Sequence, residues 1–333
     1  MTQLNIKRLQ SGGVITTYAC MSRCGHCLYN CSPQRARNYL DGGPAEDLFR
    51  CIAERGCRSV HIGGGEPCLD PQGLTTVLQA ARHSGVGIEY VETNSGWFVD
   101  AAQADEVLRG LRDNGVQTLL VSISPFHNAY IPFARVRGVI DACRRVGLQV
   151  FPWVNAFVRD LDRLGNRKPH AMAEFESAFG RDYLARIPDR YWIHLGGRAL
   201  ETFRRVYQQY PPTQILENAP SSCARALTDT THFHIDLYGN YVPGLCAGLA
   251  IDMQDLGRPL PAGKYPLLDI LATTGIRGFH EMATGNFGYT SQRQGYLNHC
   301  DLCTDIRRFL FRLEGPRLAE LAPAGFYADS GQE

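Results

Sequence analysis

The sequence predicts an α/β fold of about six strand–helix units, arranged as an open barrel or a doubly wound sheet. Three observations carry this reading. Short apolar runs alternate with amphipathic helical patterns over roughly the first 200 residues. The helices between them have readable starts and stops. Polar or glycine-rich groups follow the apolar runs, at the strand ends where the functional loops of such sheets lie.

In chain order, the first strand is predicted over 14–18. Gly43-Pro44 opens a helix that buries Leu48, Cys51 and Ile52 and closes at Gly56. A second strand follows over 59–62. Asp70-Pro71 reads as an N-cap with proline at the first helical position, and Leu74, Val77, Leu78 and Ala81 then share one face before Gly85. The third strand spans 88–92. Asp100 with Gln103 forms a capping box for a helix carrying Ala104, Val107, Leu108 and Leu111 inward, stopped by Gly115. After a fourth strand over 118–123, a helix places Val136, Ile140 and Cys143 inward and ends at Gly147. Strands over 149–154 and 191–195 complete the set.

A chain of 333 residues holds one large α/β domain, or one domain plus an extension. Lys+Arg 34 against Asp+Glu 33 gives a net charge of +1, which argues against a nucleic-acid partner. The first eight residues lack the apolar core of a signal peptide, and no apolar run is long enough to span a bilayer. A cytoplasmic protein with no membrane partner is expected. In that compartment twelve cysteines point to metal or catalysis rather than to disulfides.

The chemistry-bearing motifs sit at the predicted strand ends. Cys20-Met21-Ser22-Arg23-Cys24-Gly25-His26-Cys27 follows the first strand. An iron–sulfur cubane normally takes four thiolates, so a compact set of three leaves one iron open to a small molecule. Zinc with some fourth ligand is the bland alternative. Gly63-Gly64-Gly65-Glu66-Pro67 follows the second strand and Glu92-Thr93-Asn94-Ser95 the third. Ser122-Ile123-Ser124-Pro125-Phe126-His127 ends the fourth, Trp153-Val154-Asn155 the fifth and Gly196-Gly197-Arg198 the sixth.

With the Cys-x3-Cys-x2-Cys run and Gly64-Gly65-Glu66-Pro67, the chain resembles the radical S-adenosylmethionine (SAM) superfamily. The resemblance implies a partial (β/α)6 TIM-like barrel over about the first 200 residues, with a [4Fe-4S] cluster on Cys20, Cys24 and Cys27. It implies SAM chelated to the open iron, cleaved reductively to a 5′-deoxyadenosyl radical that abstracts hydrogen from a substrate. Gly63, Gly64 and Gly65 would let the backbone approach the methionyl amine, with Glu66 alongside. Asn94 and Ser122 would bond the ribose or the methionine, Arg198 the carboxylate, and His26 would lie against the adenine. The chain departs from the family at Ser122-Ile123-Ser124, where many relatives carry Ser-x-Asp. A reductant such as a flavodoxin or ferredoxin is implied as a partner.

A second cysteine set follows in the C-terminal third. Cys223 and Cys246 flank the alternating run His232-Phe233-His234-Ile235-Asp236-Leu237-Tyr238 and a Gly239-Asn240 hairpin signal. Cys300 and Cys303 add a Cys-x2-Cys, and four thiolates fully ligate one cluster. The arrangement is similar to the SPASM and twitch extensions, which implies one auxiliary [4Fe-4S] cluster; structural zinc is the rival. The expected division is a core over 1–200, an extension over 201–322 and a tail over 323–333.

The remaining cysteines read blandly, Cys51, Cys57 and Cys143 as core thiols and Cys31 and Cys68 as thiols near the site. His61 reads as a barrel-interior histidine, and His127 sits at a functional strand end. His232, His234 and Asp236 share one hairpin face, lining the substrate cavity or facing solvent. The expected function is a radical enzyme acting on a small-molecule or peptide substrate. A strand starting near residue 14 leaves no room ahead of it for a peptide-recognition domain. An RNA-modifying enzyme is the alternative, disfavoured by charge; a non-catalytic scaffold sits poorly with an open-iron cluster.

Overall fold

Eight strands among the described residues form one sheet, in the order β5-β4-β3-β2-β1-β6-β7-β8. They are β1 Gly12–Ile15, β2 Ser59–Gly63, β3 Gly87–Thr93, β4 Thr118–Val121, β5 Gln149–Pro152, β6 Phe233–Asp236, β7 Asn240–Val242 and β8 Ile251–Asp252. The computed structural model describes residues 4–152 and 154–328. Trp153 and residues 329–333 of the expected tail lie outside the described residues. Strands β1 to β5 pair in parallel with their sequence neighbours. The sheet with its helices is the α/β partial barrel that the sequence predicts.

The helices that cover the sheet begin and end for the reasons read in the sequence. They are α1 Gly42–Glu54, α2 Pro71–His83, α3 Ala101–Asp113, the short α4 Pro125–Asn128 and α5 Phe133–Val146. The Asp70 carboxylate accepts from Gly73 N at 2.9 Å and caps α2. Leu74, Val77, Leu78 and Ala81 are buried against the sheet. Each large side chain so buried is worth ~1.5–3 kcal/mol, far more than helix propensity, so packing holds these helices in place. Asp100 caps α3 through Gln103 N at 2.9 Å, but the Gln103 side chain returns to Val99 N, one residue earlier than a capping box requires. Gly147 ends α5 at φ +73°. Val107 and Ile140, expected inward, are half-buried at the edges of their faces, and on α5 Val139 and Ala142 take the buried line.

Two expectations need correction. Residues 191–195 form no strand. Their apolar side chains divide between core and solvent: Tyr191 packs edge-on to His26, while Trp192 is 65% exposed. The sixth parallel strand is β6, which arrives from the C-terminal third and pairs with the other edge of β1, Gly12 with Phe233 through Ile15 with Asp236. Strands β7 and β8 then add antiparallel to β6. The predicted hairpin is therefore part of the barrel sheet. Its turn is also longer than the two-residue Gly239-Asn240 reading. Leu237-Tyr238-Gly239 make the turn, with Gly239 at φ +78°. The Asp236 carboxylate accepts from Tyr238 N, Asn240 N and Asn240 Nδ2 at 2.9–3.0 Å, which favours the wider loop.

Candidate active site

The loop after β1 carries Cys20, Cys24 and Cys27, and the loop after β2 packs directly on it. Gly65 N donates to Thr17 O at 2.7 Å and Glu66 N to Ala19 O at 3.0 Å. A Cβ on Gly65 would fall 1.9 Å from Ala19 O, and Gly64 stands at φ +131°. These two glycines therefore serve close backbone contact with the cysteine loop, and they also line the cleft. A Cβ on Gly63 would instead meet the Glu92 carboxylate at 2.9 Å.

Glu66 is fully buried and works as a tie between strands. Its carboxylate accepts from Cys68 N at 3.1 Å, Thr93 Oγ1 at 2.9 Å and Asn94 N at 2.7 Å. Burial pushes its carboxyl up to about 7, against the pull of those donors. Asn94, held by this tie, points its amide Nδ2 at Cys20 Sγ, 3.3 Å away, rather than into open space.

The three thiols share one cleft with Ser22, His26, Cys31, Gly64, Gly65, Glu92, Thr93, Asn94, Ser122 and His127. The cleft also holds polar atoms that the protein leaves unpaired. Ser22 Oγ and His26 Nδ1 are buried, with no hydrogen-bond partner among the described residues. Such atoms are costly unless a polar ligand meets them. The His26 ring stacks on Phe126 at 4.7 Å, and its Nε2 lies 3.1 Å from the Tyr191 hydroxyl. Serine 124 caps α4 and bonds His127 Nδ1 at 2.7 Å, which fixes that ring at the rim. Burial pushes His127 down to about 4. Burial also pushes the Cys20 thiol up to about 12, with the Glu66 charge adding to the rise. Cys27 is drawn down to about 6, chiefly by its bond with Cys31.

Arg198 takes a different position from the expected one. It is buried behind the cysteine loop, where Nε donates to Cys24 O at 3.0 Å and a second nitrogen donates to Cys31 O. Its backbone N meets Cys27 O at 3.1 Å, and Gly197, at φ +54°, packs where a Cβ would strike Leu28 O at 2.3 Å. Arg198 thus braces the loop from behind and is not among the residues lining the cleft.

Residues 14–156 match the family model described as the Radical SAM superfamily. These residues form a radical SAM domain. Its class uses S-adenosylmethionine and a [4Fe-4S] cluster, and the cleft fits both: three thiols on one loop, with unpaired polar atoms beside them. No curated protein matches the chain by sequence. Among solved structures it is similar to native anSMEcpe with bound AdoMet, at 14% identity over 93% of this chain and 98% of that one, TM-score 0.44. It is also similar to BtrN in complex with AdoMet and 2-DOIA, at 12% identity over 87% and 98%, TM-score 0.43. SuiB from Streptococcus suis bound to S-adenosylmethionine matches at 14% identity over 72% and 61%, TM-score 0.34.

The second cysteine set of the radical SAM enzyme also converges. Cys223, Cys246, Cys300 and Cys303 line a single cavity with Leu28, Leu195, Gly196, Gly197, Leu245, Leu271 and Arg307. Cys300 and Cys303 sit near the start of the helix His299–Glu314, three residues apart and so on one face. Asn298 caps that helix through Asp301 N at 3.0 Å. Cys246 follows β7 through a turn in which a Cβ on Gly244 would fall 1.8 Å from Ala226 O. Burial pushes Cys223 up to about 11 and Cys246 up to about 12.

Sequence reading passed over Arg307, one turn beyond Cys303. Its guanidinium is buried and donates to Ala247 O at 2.8 Å, Thr304 Oγ1 at 2.9 Å and Tyr327 Oη at 3.3 Å. No ion pair with a carboxylate is seen for it among the described residues. A buried cation needs a compensating charge, and Cys246 and Cys303 are among the groups that act on it. The spacing Cys-x3-Arg was the signal available in the sequence. Among the described residues, no helix is long and apolar enough to cross a membrane.

Proposed function

We propose that this enzyme reductively cleaves S-adenosylmethionine at the Cys20, Cys24 and Cys27 cleft and uses the 5′-deoxyadenosyl radical to take hydrogen from a small-molecule or peptide substrate. An auxiliary [4Fe-4S] cluster on Cys223, Cys246, Cys300 and Cys303 completes the proposal. One observation carries it: Cys27 lines the first cleft and its neighbour Leu28 lines the second cavity, so the two cysteine sites lie back to back. A substrate oxidised at one would have an electron acceptor close at hand.

When bound, the first cluster supplies the electron that splits the sulfonium. The protein's own groups do the rest. Ser22 Oγ and His26 Nδ1 offer unpaired polar atoms, and the stacked His26 and Phe126 rings offer an aromatic wall for a purine. Asn94 Nδ2 donates toward Cys20 Sγ and favours its thiolate. Glu66 fixes Asn94, while Arg198 holds the carbonyls of Cys24 and Cys31. Ser122 presents its side chain at the cleft, its N–H spent on Thr93 O at 2.9 Å. Around the second site, Arg307 offsets thiolate charge and so supports a bound metal group there.

Anaerobic reconstitution tests the proposal. About eight irons per chain are expected for two cubanes. Changing Cys20, Cys24 and Cys27 to alanine halves that content and ends 5′-deoxyadenosine formation. Wild-type enzyme that releases none under strong reductant overturns the radical reading. Changing Cys300 and Cys303 to alanine removes the other half of the iron and spares cosubstrate cleavage. Zinc in place of that half defeats the auxiliary-cluster reading.

A further inference from the structure

Strand β1 lies between β2 and β6, both parallel to it, and the two registers place Gly13 opposite His61 on one side and His234 on the other. Residues aligned across a sheet in this way project from the same face. The middle position has no side chain, and a Cβ there would fall 2.2 Å from His61 Nε2. The two flanking rings close over the gap, so that His61 Nε2 and His234 Nε2 stand 3.2 Å apart. His232 precedes His234 by two residues and joins them, its ring centroid 5.4 Å from His61 and 4.9 Å from His234. One ring nitrogen from each of the three histidines lies within 4.8 Å of the other two.

We propose that His61, His232 and His234 bind one divalent transition-metal ion, of the kind that imidazole favours, such as Zn²⁺, Fe²⁺ or Co²⁺. Two nitrogens on a tetrahedral ion with bonds of about 2.0–2.1 Å stand about 3.3–3.4 Å apart, close to the separation of the two Nε2 atoms. The outer shell suits ligation too. His234 Nδ1 lies 2.8 Å from the Tyr29 hydroxyl, on the side of the ring away from the shared Nε2. Metal-binding histidines are usually oriented in this way. Three protein ligands leave a fourth position for water or a substrate atom. Glu92, which lines the cysteine cleft, has its Oε1 3.9 Å from His61 Nε2, so the ion would sit beside that cleft. The metal-free alternative is a hydrogen bond between neutral His61 and His234 with the His232 ring stacked on His61 at 18°.

The test uses enzyme whose clusters have been reconstituted and oxidised to their EPR-silent state, titrated anaerobically with Co²⁺. One Co²⁺ per chain is expected, with a high-spin EPR signal and no thiolate charge-transfer band. His232→Ala, at an exposed position, should weaken binding by more than about 100-fold. Tyr29→Phe should weaken it by about 10- to 100-fold, as loss of an outer-shell partner does. His61→Ala should abolish binding, with cluster iron content and far-UV circular dichroism as folding controls. No Co²⁺ signal in the wild type, equal binding by His232→Ala, or a thiolate charge-transfer band overturns the proposal and leaves the trio as a hydrogen-bonded stack.

Discussion

The two cysteine sites are built on opposite plans. The first draws its thiols from eight consecutive residues, braced from behind by Arg198 and from beside by the Gly64-Gly65 backbone. Its cleft is rimmed by Ser22, Glu92, Asn94, Ser122 and His127. The second gathers thiols from three separate stretches of chain into a cavity walled largely by leucine and alanine, with Arg307 as its cation. A polar rim with unpaired atoms suits a site that must take in a charged cosubstrate. An apolar wall with one fixed cation suits a site that holds a group permanently and keeps water from it. On the function proposed above, the contrast divides labour between cosubstrate cleavage at the first site and a permanently held electron acceptor at the second.

The largest effect expected from this contrast separates the sites functionally. Cys24→Ala should stop 5′-deoxyadenosine release altogether, while Cys300→Ala should leave it within about tenfold of wild type, since only an interaction made in the reacting complex lowers the rate. Product quantification by liquid chromatography checks both. Equal loss in both variants would erase the distinction. Arg307→Met comes next. It leaves the buried acceptors Ala247 O, Thr304 Oγ1 and Tyr327 Oη unmet, at about 1–3 kcal/mol for each group left unsatisfied, so both the melting temperature and the metal content of the second site should fall, with the first site's iron spared.

Arg198→Met should act on the other side of the comparison. It removes charge-assisted bonds to the carbonyls of Cys24 and Cys31, each worth about 1.5–3 kcal/mol. Iron should then be lost selectively from the first site, as Mössbauer quantification would show. A uniform loss from both sites would mean that the brace is global. The smallest effect concerns Glu320, whose carboxylate accepts from Leu267 N and Leu268 N beside the second region. Burial raises it to about 7 in the folded chain. Its proton is thus held more tightly when folded, so its stabilising contribution is complete below about 4.5 and disappears as pH rises through 7. Glu320→Gln should flatten the fall in melting temperature between pH 5 and pH 8 by a few degrees. An unchanged slope by calorimetry would remove Glu320 from the account.

Local signals in the sequence were the legible ones. The Cys20 to Cys27 spacing, the Asp70 and Asp100 caps and the Gly147 stop are encoded within a few residues, and each stands where it was read. Five of the six apolar runs became parallel strands. The misreadings share a cause in contacts between distant residues. The run over 191–195 resembled a strand, but nothing pairs on the outer edge of β5 among the described residues, and the sixth parallel strand is β6, which pairs with β1. Arg198 was expected to pair with the methionine carboxylate, whereas its guanidinium donates to carbonyls 174 and 167 residues away in sequence. The meeting of His61 with His234 required knowing which strands flank Gly13, and no local pattern says so.

The pairing of β1 with β6 has a consequence for how the chain is made. Strand β1 is complete early, yet its second neighbour begins only at Phe233. Until then a glycine-rich strand beside the cysteine loop keeps one edge unpaired, the state in which chains most readily associate wrongly. Closing so long a loop is also slow, because its entropy must be spent before the contact stabilises anything. The five-strand half-sheet should therefore be the species that chaperones meet. Iron delivered to the first cysteine loop before β6 docks would meet a loop whose Tyr29 still lacks its partner His234.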